Sequence, residues 1–397
     1  MIIKPLIRSN ICLNAHPKGC AKEVQRQIQY VQSQGKKRTS PVNAPQNVLV
    51  LGCSTGYGLA SRITAAFQYK ATTIGVSFEK EGREKKSGTP GWYNNMAFDE
   101  AAKNEGLSSV TFNGDAFSDE MRAKVIQQAK EMGIQFDLVV YSVASAVRID
   151  PESGEMYRSV LKPFGKSFVG QNIDVATDKL ITISAETATP EEAEQTVKVM
   201  GGEDWQRWIE QLKNAGVLAK GLKTIAYSYI GPSLSHAIYR DGTIGRAKEH
   251  LESTADILQE KLAPLNGEAY VSVNKGLVTR SSAVIPVIPL YLSILFKIMK
   301  EKGTHEGCIE QAERLFAERL YVSGQVPVDE NRLIRIDDWE LDPEIQKYVS
   351  ERMPLINEEN LAELGDLEGY KHDFLVTNGF DVEGVDYNEP VERLDQI

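Results

Sequence analysis

Four apolar residues, Val48-Leu49-Val50-Leu51, run directly into Gly52-Cys53-Ser54-Thr55-Gly56-Tyr57-Gly58, and no other stretch limits the fold of this chain as tightly. The apolar run is too short for a helix and shows no alternation, so it reads as a strand buried on both faces, as in a parallel sheet. Glycines spaced G-x-x-x-G-x-G let the backbone turn sharply and approach a large group, and Leu59 to Phe67 restores apolar residues at helical spacing. Strand, glycine turn and helix start make an anion cradle. Backbone N–H groups and the positive end of the helix dipole converge on the turn, where a pyrophosphate is the usual occupant.

A glycine turn without a ligand fits the same pattern, and context separates the two. A second apolar strand, Thr72 to Phe78, ends in Glu79, roughly 20 residues beyond the last glycine. A carboxylate there accepts hydrogen bonds from an adenosine ribose and repels a 2′-phosphate, which points to NADH over NADPH. Lys80, Arg83, Lys85 and Lys86 follow closely and can offset that repulsion.

From Val48 onward strands and helices alternate: strands near 48–51, 72–78, 108–112, 137–142, 223–229 and 269–273, with helices near 58–67, 94–105, 118–132, 244–262 and 276–300. Such alternation predicts a Rossmann-type, doubly wound parallel sheet that binds ligands at the carboxyl ends of its strands. Asp115-Ala116 and Val143-Ala144 fall at those ends, and their small residues admit an adenine and a ribose. Asp115 is equally suited to a turn or an N-cap. The rhythm breaks over 146–205, which reads as an inserted substrate-side lid. Residues 1–47, with a helix near 21–34 and a Lys/Ser/Pro-rich linker up to Pro45, form an N-terminal extension. The core spans 48–302, and residues 303–397 read as a helical C-terminal extension packed on it.

The net charge of −10 argues against a nucleic-acid partner. The four cysteines, Cys12, Cys20, Cys53 and Cys308, form no C-x-x-C, which fits a reducing cytoplasm. Lys4 and Arg8 precede no apolar signal region, and the longest uncharged run, Ser281 to Phe296, contains Pro286 and Pro289 and falls short of a membrane span. Part of it, Ala283 to Phe296, reads as an internal apolar wall, suited to an acyl chain or to helix core. His16 with Cys20, and His305 with Cys308, lack the further ligands a metal site needs, so no metal is expected. Trp205 and Trp208 read as core. Ser233, Ser235 and His236 have no G-x-S-x-G elbow to present a nucleophile, which argues against a hydrolase.

The chemistry falls to a tyrosine and a lysine. Tyr239 and Lys248 follow the fifth strand; beside a nicotinamide, an ammonium lowers a phenol's pKa and binds ribose hydroxyls, while the phenol donates a hydrogen bond to a carbonyl oxygen that gains charge. None of the 15 tyrosines has a lysine four positions later, the spacing of the ketone- and alcohol-reducing short-chain dehydrogenases. Residues nine apart on one helix lie about 2.5 turns apart and point in opposite directions. Asp241-Gly242-Thr243 resolves this if the helix begins near Ile244, leaving Tyr239 ahead of it and Lys248 in its second turn.

Several motifs now align with a known family: Met1-Ile2-Ile3-Lys4-Pro5, the Gly52 turn, Gly91-Trp92-Tyr93-Asn94-Asn95, Val199-Met200-Gly201-Gly202-Glu203-Asp204-Trp205, Tyr239-x8-Lys248 and Asn378-Gly379-Phe380-Asp381. Over its whole length the chain resembles the NADH-dependent trans-2-enoyl-CoA reductases and the related FabV-type enoyl-acyl-carrier-protein reductases. The resemblance implies that Tyr239 donates the proton, Lys248 contacts the nicotinamide ribose and Tyr229 contacts the substrate carbonyl. It also implies that Gly52, Cys53, Ser54, Thr55, Gly56, Tyr57, Phe78, Glu79, Asp115, Ala116, Val143, Ala144, Leu277, Val278 and Thr279 line the dinucleotide. Val143 stands where many relatives have leucine. The implied reaction is hydride transfer from NADH to C3 of a trans-2-enoyl thioester, the oxygen being held by Tyr239 with help from Tyr229. Crotonyl-CoA-like substrates are favoured, with enoyl-acyl-carrier-protein as the alternative, and relatives suggest a monomer or weak dimer. Family nomenclature attaches a flavin label to the C-terminal region, yet no second phosphate cradle occurs there. A non-catalytic NADH-binding sensor would keep the turn and Glu79 but has no use for Tyr239 and Lys248 at this spacing.

Overall fold

Val48, Leu49, Val50 and Leu51 are all fully buried, and alternate members face opposite layers. Leu49 and Leu51 pack with Trp205, Trp208, Leu212, Leu251 and Leu258 on one side. Val48 and Val50 pack with Ala65, Phe316 and Leu320 on the other. Helices on both faces explain why the strand carries no polar residue.

The computed structural model describes residues 1–38 and 43–397, so positions 39–42 of the expected linker lie outside the described residues. Seven strands, Asn47–Leu51 (β1), Thr72–Ser77 (β2), Ser109–Asn113 (β3), Phe136–Tyr141 (β4), Leu218–Ser228 (β5), Glu268–Val273 (β6) and Leu333–Arg335 (β7), form one sheet. Their order is β7-β6-β5-β4-β1-β2-β3, and every neighbouring pair is parallel. The direction of winding reverses between β1 and β4, the switch point at which such sheets bind ligands.

Three features differ from the sequence reading. The C-terminal segment is not purely helical, since it supplies the edge strand β7 beside β6. Strand β5 begins at Leu218, with an irregularity between Leu218 and Lys223 that a short-strand reading passes over. The helix expected over 276–300 starts only at Ile288 and runs to Lys302, preceded by an irregular loop and a single turn at Ser282–Val284. Proline is the reason. Ile285, ahead of Pro286, is extended, as a residue before proline prefers, and Pro289 occupies the first helical turn, where its missing N–H has no partner to lose.

The insertion at 146–205 holds two antiparallel hairpins, Val147–Ile149 with Met156–Arg158 and Phe168–Asp174 with Lys179–Ala185, then the helix Pro190–Met200. The Gly201-Gly202-Glu203-Asp204-Trp205 motif is structural. Gly202 N–H donates to Nδ1 of His250 at 3.0 Å, Asp204 is buried against the Arg122 guanidinium and the Tyr141 hydroxyl, and Trp205 Nε1 donates to Thr224 Oγ1 at 2.9 Å. Trp208, also core, donates to the Ala116 carbonyl at 2.9 Å and so fixes the loop after β3.

The two ends of the chain clasp each other. The Met1 amine donates to the Val391 carbonyl, and Asn378 Nδ2 to the Asn14 carbonyl at 2.7 Å. His16 is the N-cap of the helix Pro17–Lys37, its Nδ1 accepting from Gly19 N–H, while its ring packs edge-on against Phe380 and Tyr387. The apolar run after residue 283 is chiefly core: Leu290 to Phe296 pack with Ile345, Val349, Tyr370 and Phe374 from the C-terminal helices.

Candidate active site

The glycine turn closes onto the end of β4. Gly52 has φ +84°, and a Cβ there would sit 2.2 Å from the Ser142 carbonyl oxygen; a Cβ on Gly58 would sit 1.9 Å from that of Gly52. Only glycine permits both approaches. Thr55 precedes the helix Gly56–Ile63 without capping it through its side chain, so the first-turn N–H groups face the cleft, as an anion site requires.

Glu79 is held at the tip of β2. Ser54 Oγ donates to its Oε1 at 2.6 Å, and Asn113 brackets its backbone through two hydrogen bonds. The cation that approaches it is Arg280, with Nη1 3.7 Å from Oε2. Of the cations expected to offset its charge, Arg83 and Lys86 pair with each other through their backbones in a separate turn.

These elements open into a cavity of about 900 Å³ at the carboxyl ends of the strands. Gly52, Ser54, Thr55, Gly56, Tyr57, Phe78, Glu79, Asp115, Ala116, Val143, Ala144, Thr279, Tyr229, Tyr239 and Lys248 all line it. Three expected residues do not. Cys53 is fully buried beneath the turn, its Sγ near Arg62 and Asn95, and Leu277 and Val278 belong to the apolar core around the helix Ile288–Lys302. Asp115 both lines the cavity and makes a turn, its Oδ1 accepting from Phe117 N–H at 2.9 Å. From the apolar run only Ser281, Ala283 and Val284 reach the cavity.

The helix bearing Lys248 runs from Thr243 to Leu262 with Gly242 as its N-cap, and Tyr239 stands before it in an irregular turn. The two side chains, which one helix would have pointed apart, line the same cavity. Lys248 Nζ donates to the Tyr227 carbonyl at 3.1 Å, and burial lowers its pKa to about 8, against the opposing pull of Glu252. Burial raises the Tyr239 phenol, and among the described residues no protein group hydrogen-bonds its hydroxyl. Tyr229 packs edge to face on Tyr239, ring centroids 5.2 Å apart. Its own hydroxyl donates to Glu340 Oε1 at 3.0 Å, which departs from a donor aimed at a substrate carbonyl.

Sequence reasoning missed Arg280, Lys275 and Glu340. Arg280 follows the flagged Thr279 directly, and a cation at that point was a readable signal. Lys275 lines the cavity, buried, with Nζ donating to the Gly276 carbonyl and lying 4.6 Å from the Phe296 ring centre; burial lowers its pKa to about 8. Glu340 lies 64 residues from its partner Gly276 in an acidic stretch with no motif.

A glycine-turned parallel sheet whose switch-point cavity gathers a tyrosine phenol and a buried ammonium defines a Rossmann-type, dinucleotide-dependent oxidoreductase. Comparison with known proteins narrows the class: residues 86–321 match the family model for the trans-2-enoyl-CoA reductase catalytic region, residues 2–84 the NAD(P)H binding domain of trans-2-enoyl-CoA reductase, and residues 328–391 an enoyl reductase FAD binding domain. The chain belongs to the trans-2-enoyl-CoA reductase family. It is 64% identical to the NADH-dependent trans-2-enoyl-CoA reductase of Treponema denticola over 100% of both chains. It is 52% identical to the NADH-dependent enoyl-[acyl-carrier-protein] reductase of Cytophaga hutchinsonii, over 98% of this chain and 96% of that one. The crystal structure of the Treponema denticola enzyme in complex with NAD superimposes with a TM-score of 0.98 at 63% identity, covering 100% of each chain. That of the Clostridium acetobutulicum trans-2-enoyl-CoA reductase in complex with NADH gives 0.94 at 44% identity over 98% of each.

The first two family matches meet between β2 and β3 of one sheet, so the dinucleotide site draws on both. The third match does not fit a flavin. Its helices Pro343–Arg352 and Leu367–Val376 are N-capped by the carboxylates of Asp342 and Asp366, which repel a phosphate, and their apolar faces are filled by the Ile288–Lys302 helix.

Proposed function

We propose that this chain catalyses the NADH-dependent reduction of the C2=C3 double bond of trans-2-enoyl thioesters, with short enoyl-CoA substrates such as crotonyl-CoA as the preferred class. Bound NADH supplies the hydride that adds at C3 of the thioester. The reading is carried by the Tyr239 hydroxyl, unpartnered among the described residues and sharing a cavity with Lys248 and the glycine turn. Tyr239 donates a hydrogen bond to the thioester oxygen as it gains negative charge, and delivers the proton. Lys248 presents its ammonium to the ribose hydroxyls. Glu79, held by Ser54, takes the adenosine ribose. The 146–205 insertion covers the substrate, a role supported by Ala146, Val147, Ile149 and Met200 on the cavity wall.

The test is consumption of NADH with crotonyl-CoA, followed by its near-ultraviolet absorbance. Oxidation is expected; binding of NADH with no oxidation on any enoyl thioester would support a sensor instead. Relatives at about half identity are named for acyl-carrier-protein substrates, so matched CoA and carrier-protein thioesters of several chain lengths belong in the same assay.

The lysine also sets a pH dependence. With a pKa of about 8, Lys248 is a cation below that pH and loses its charge above it. Activity at sub-saturating NADH is therefore expected to fall along an alkaline limb near pH 8. Lys248→Arg, whose guanidinium stays protonated, is expected to remove the part of that limb that belongs to Lys248; Lys275, on the same cavity with a pKa of about 8, accounts for any limb that stays in this variant and is lost in Lys275→Arg. A wild-type profile flat through this region would take the Lys248 charge out of the mechanism.

A further inference from the structure

Glu340 is fully buried, and both of its carboxylate oxygens are engaged. Oε1 accepts from the Tyr229 hydroxyl at 3.0 Å and the Tyr291 hydroxyl at 2.6 Å, and Oε2 accepts from Gly276 N–H at 2.6 Å. The residue is itself fixed, since Gln346 Nε2 donates to its carbonyl at 2.7 Å and also to the Tyr291 hydroxyl. A carboxylate this deep is retained only where its hydrogen bonds are complete.

What it holds bears on the reaction. Tyr239 stands in the turn between the short helix Ser233–His236 and the Thr243–Leu262 helix; its N–H donates to the Ser235 carbonyl at 3.0 Å and the His236 carbonyl at 3.1 Å, which fixes its backbone, while its hydroxyl has no hydrogen-bond partner among the described residues. The Tyr229 ring packs edge to face against the Tyr239 ring, with centroids 5.2 Å apart, and bounds it on one side. Tyr229 lies just past the end of β5, and its far end is tethered to Glu340. Space around that tether is closed: a Cβ on Gly231 would meet the Tyr229 hydroxyl at 2.7 Å, and one on Gly276 would meet it at 3.1 Å.

We propose that Glu340, brought in by the C-terminal segment, is a positioning residue for the reduction, fixing the Tyr229 ring so that Tyr239 presents its hydroxyl to the substrate. Tyr229 then directs its proton away from the substrate and acts as a brace. The segment matched to a flavin domain thus contributes to catalysis through a protein carboxylate. This inference rests on the role given to Tyr239 above.

Glu340→Gln keeps the shape of the side chain but offers one acceptor oxygen and one NH2. With its oxygen toward the Gly276 amide, the NH2 faces the two hydroxyls, which must then accept instead of donate, so the Tyr229 hydroxyl loses the acceptor that holds it; with the amide reversed, the NH2 meets the Gly276 N–H, donor against donor. Below its thermal midpoint, the variant is expected to lose about tenfold in kcat on crotonyl-CoA while its affinity for NADH stays within about threefold, because the glycine turn is untouched. Tyr229→Phe removes only the tethered hydroxyl and is expected to lose a similar factor. The double variant is expected to be no slower than the slower single, since both changes cut one link. A Glu340→Gln variant that melts earlier but keeps full kcat while folded would overturn the proposal, as would single effects that multiply. A wild-type chain inactive on every enoyl thioester would instead sink the reductase reading on which the proposal stands.

Discussion

Tyr239→Phe is expected to bind NADH with near-normal affinity and to lose about 10²–10³ in kcat, the effect of removing one donor to a developing oxyanion, or about 2.7–4 kcal/mol of barrier. The substitution is unusually clean. Phenylalanine preserves the ring that packs against Tyr229, and the hydroxyl makes no protein hydrogen bond among the described residues whose loss would loosen the fold. The thermal midpoint should therefore hardly move. The affinity is retained because the phosphate cradle and Glu79 lie at the other end of the cavity wall, on β1 and β2. Stopped-flow or steady-state rates with crotonyl-CoA, alongside NADH fluorescence titration, separate the two quantities. A variant that turns over at more than about a third of the wild-type rate would remove the phenol from the chemistry.

The parts of the structure legible beforehand are those whose cause is local. β1 is readable because a strand buried on both faces must be apolar throughout, and the glycine turn because two backbones meet where no Cβ fits. The Tyr239–Lys248 relation was readable because a helical repeat forbids cooperation at a spacing of nine residues unless a turn intervenes, and Gly242 provides that turn. The parts that escaped depend on partners distant in sequence. β7 is three residues long and exists because β6 offers an edge. Leu277 and Val278 lie beside lining residues yet belong to a core that joins the helix Ile288–Lys302 to residues as distant as Ile3, Ile173 and Phe374. Glu340 carries no signature at all: an isolated glutamate becomes a hub only when the C-terminal segment folds back over the helix Ile288–Lys302.

Gly52→Ala is expected to reduce NADH affinity by about tenfold, the share that falls on binding of about 2–5 kcal/mol of strain from two costs that add. At φ +84° an alanine pays about 1–2 kcal/mol for the left-handed backbone. Its methyl group would also stand 2.2 Å from the Ser142 carbonyl oxygen, an overlap that backbone movement must relieve at about 1–3 kcal/mol. The movement available carries the turn away from β4, and the turn leads straight into the helix Gly56–Ile63 whose first N–H groups face the cleft. Part of the strain appears as a lower thermal midpoint, measured without cofactor. The rest appears as weaker binding, measured by NADH fluorescence, and the stabilisation that saturating NADH gives the wild-type chain should shrink in proportion. The turnover number at saturating NADH should fall far less than it does in Tyr239→Phe, because Tyr229, Tyr239 and Lys248 all stand on the segment after β5. An alanine variant that binds NADH as tightly as wild type would show that the cofactor does not rest on this turn, and the assignment of the whole cavity would have to be redrawn from the β5 end.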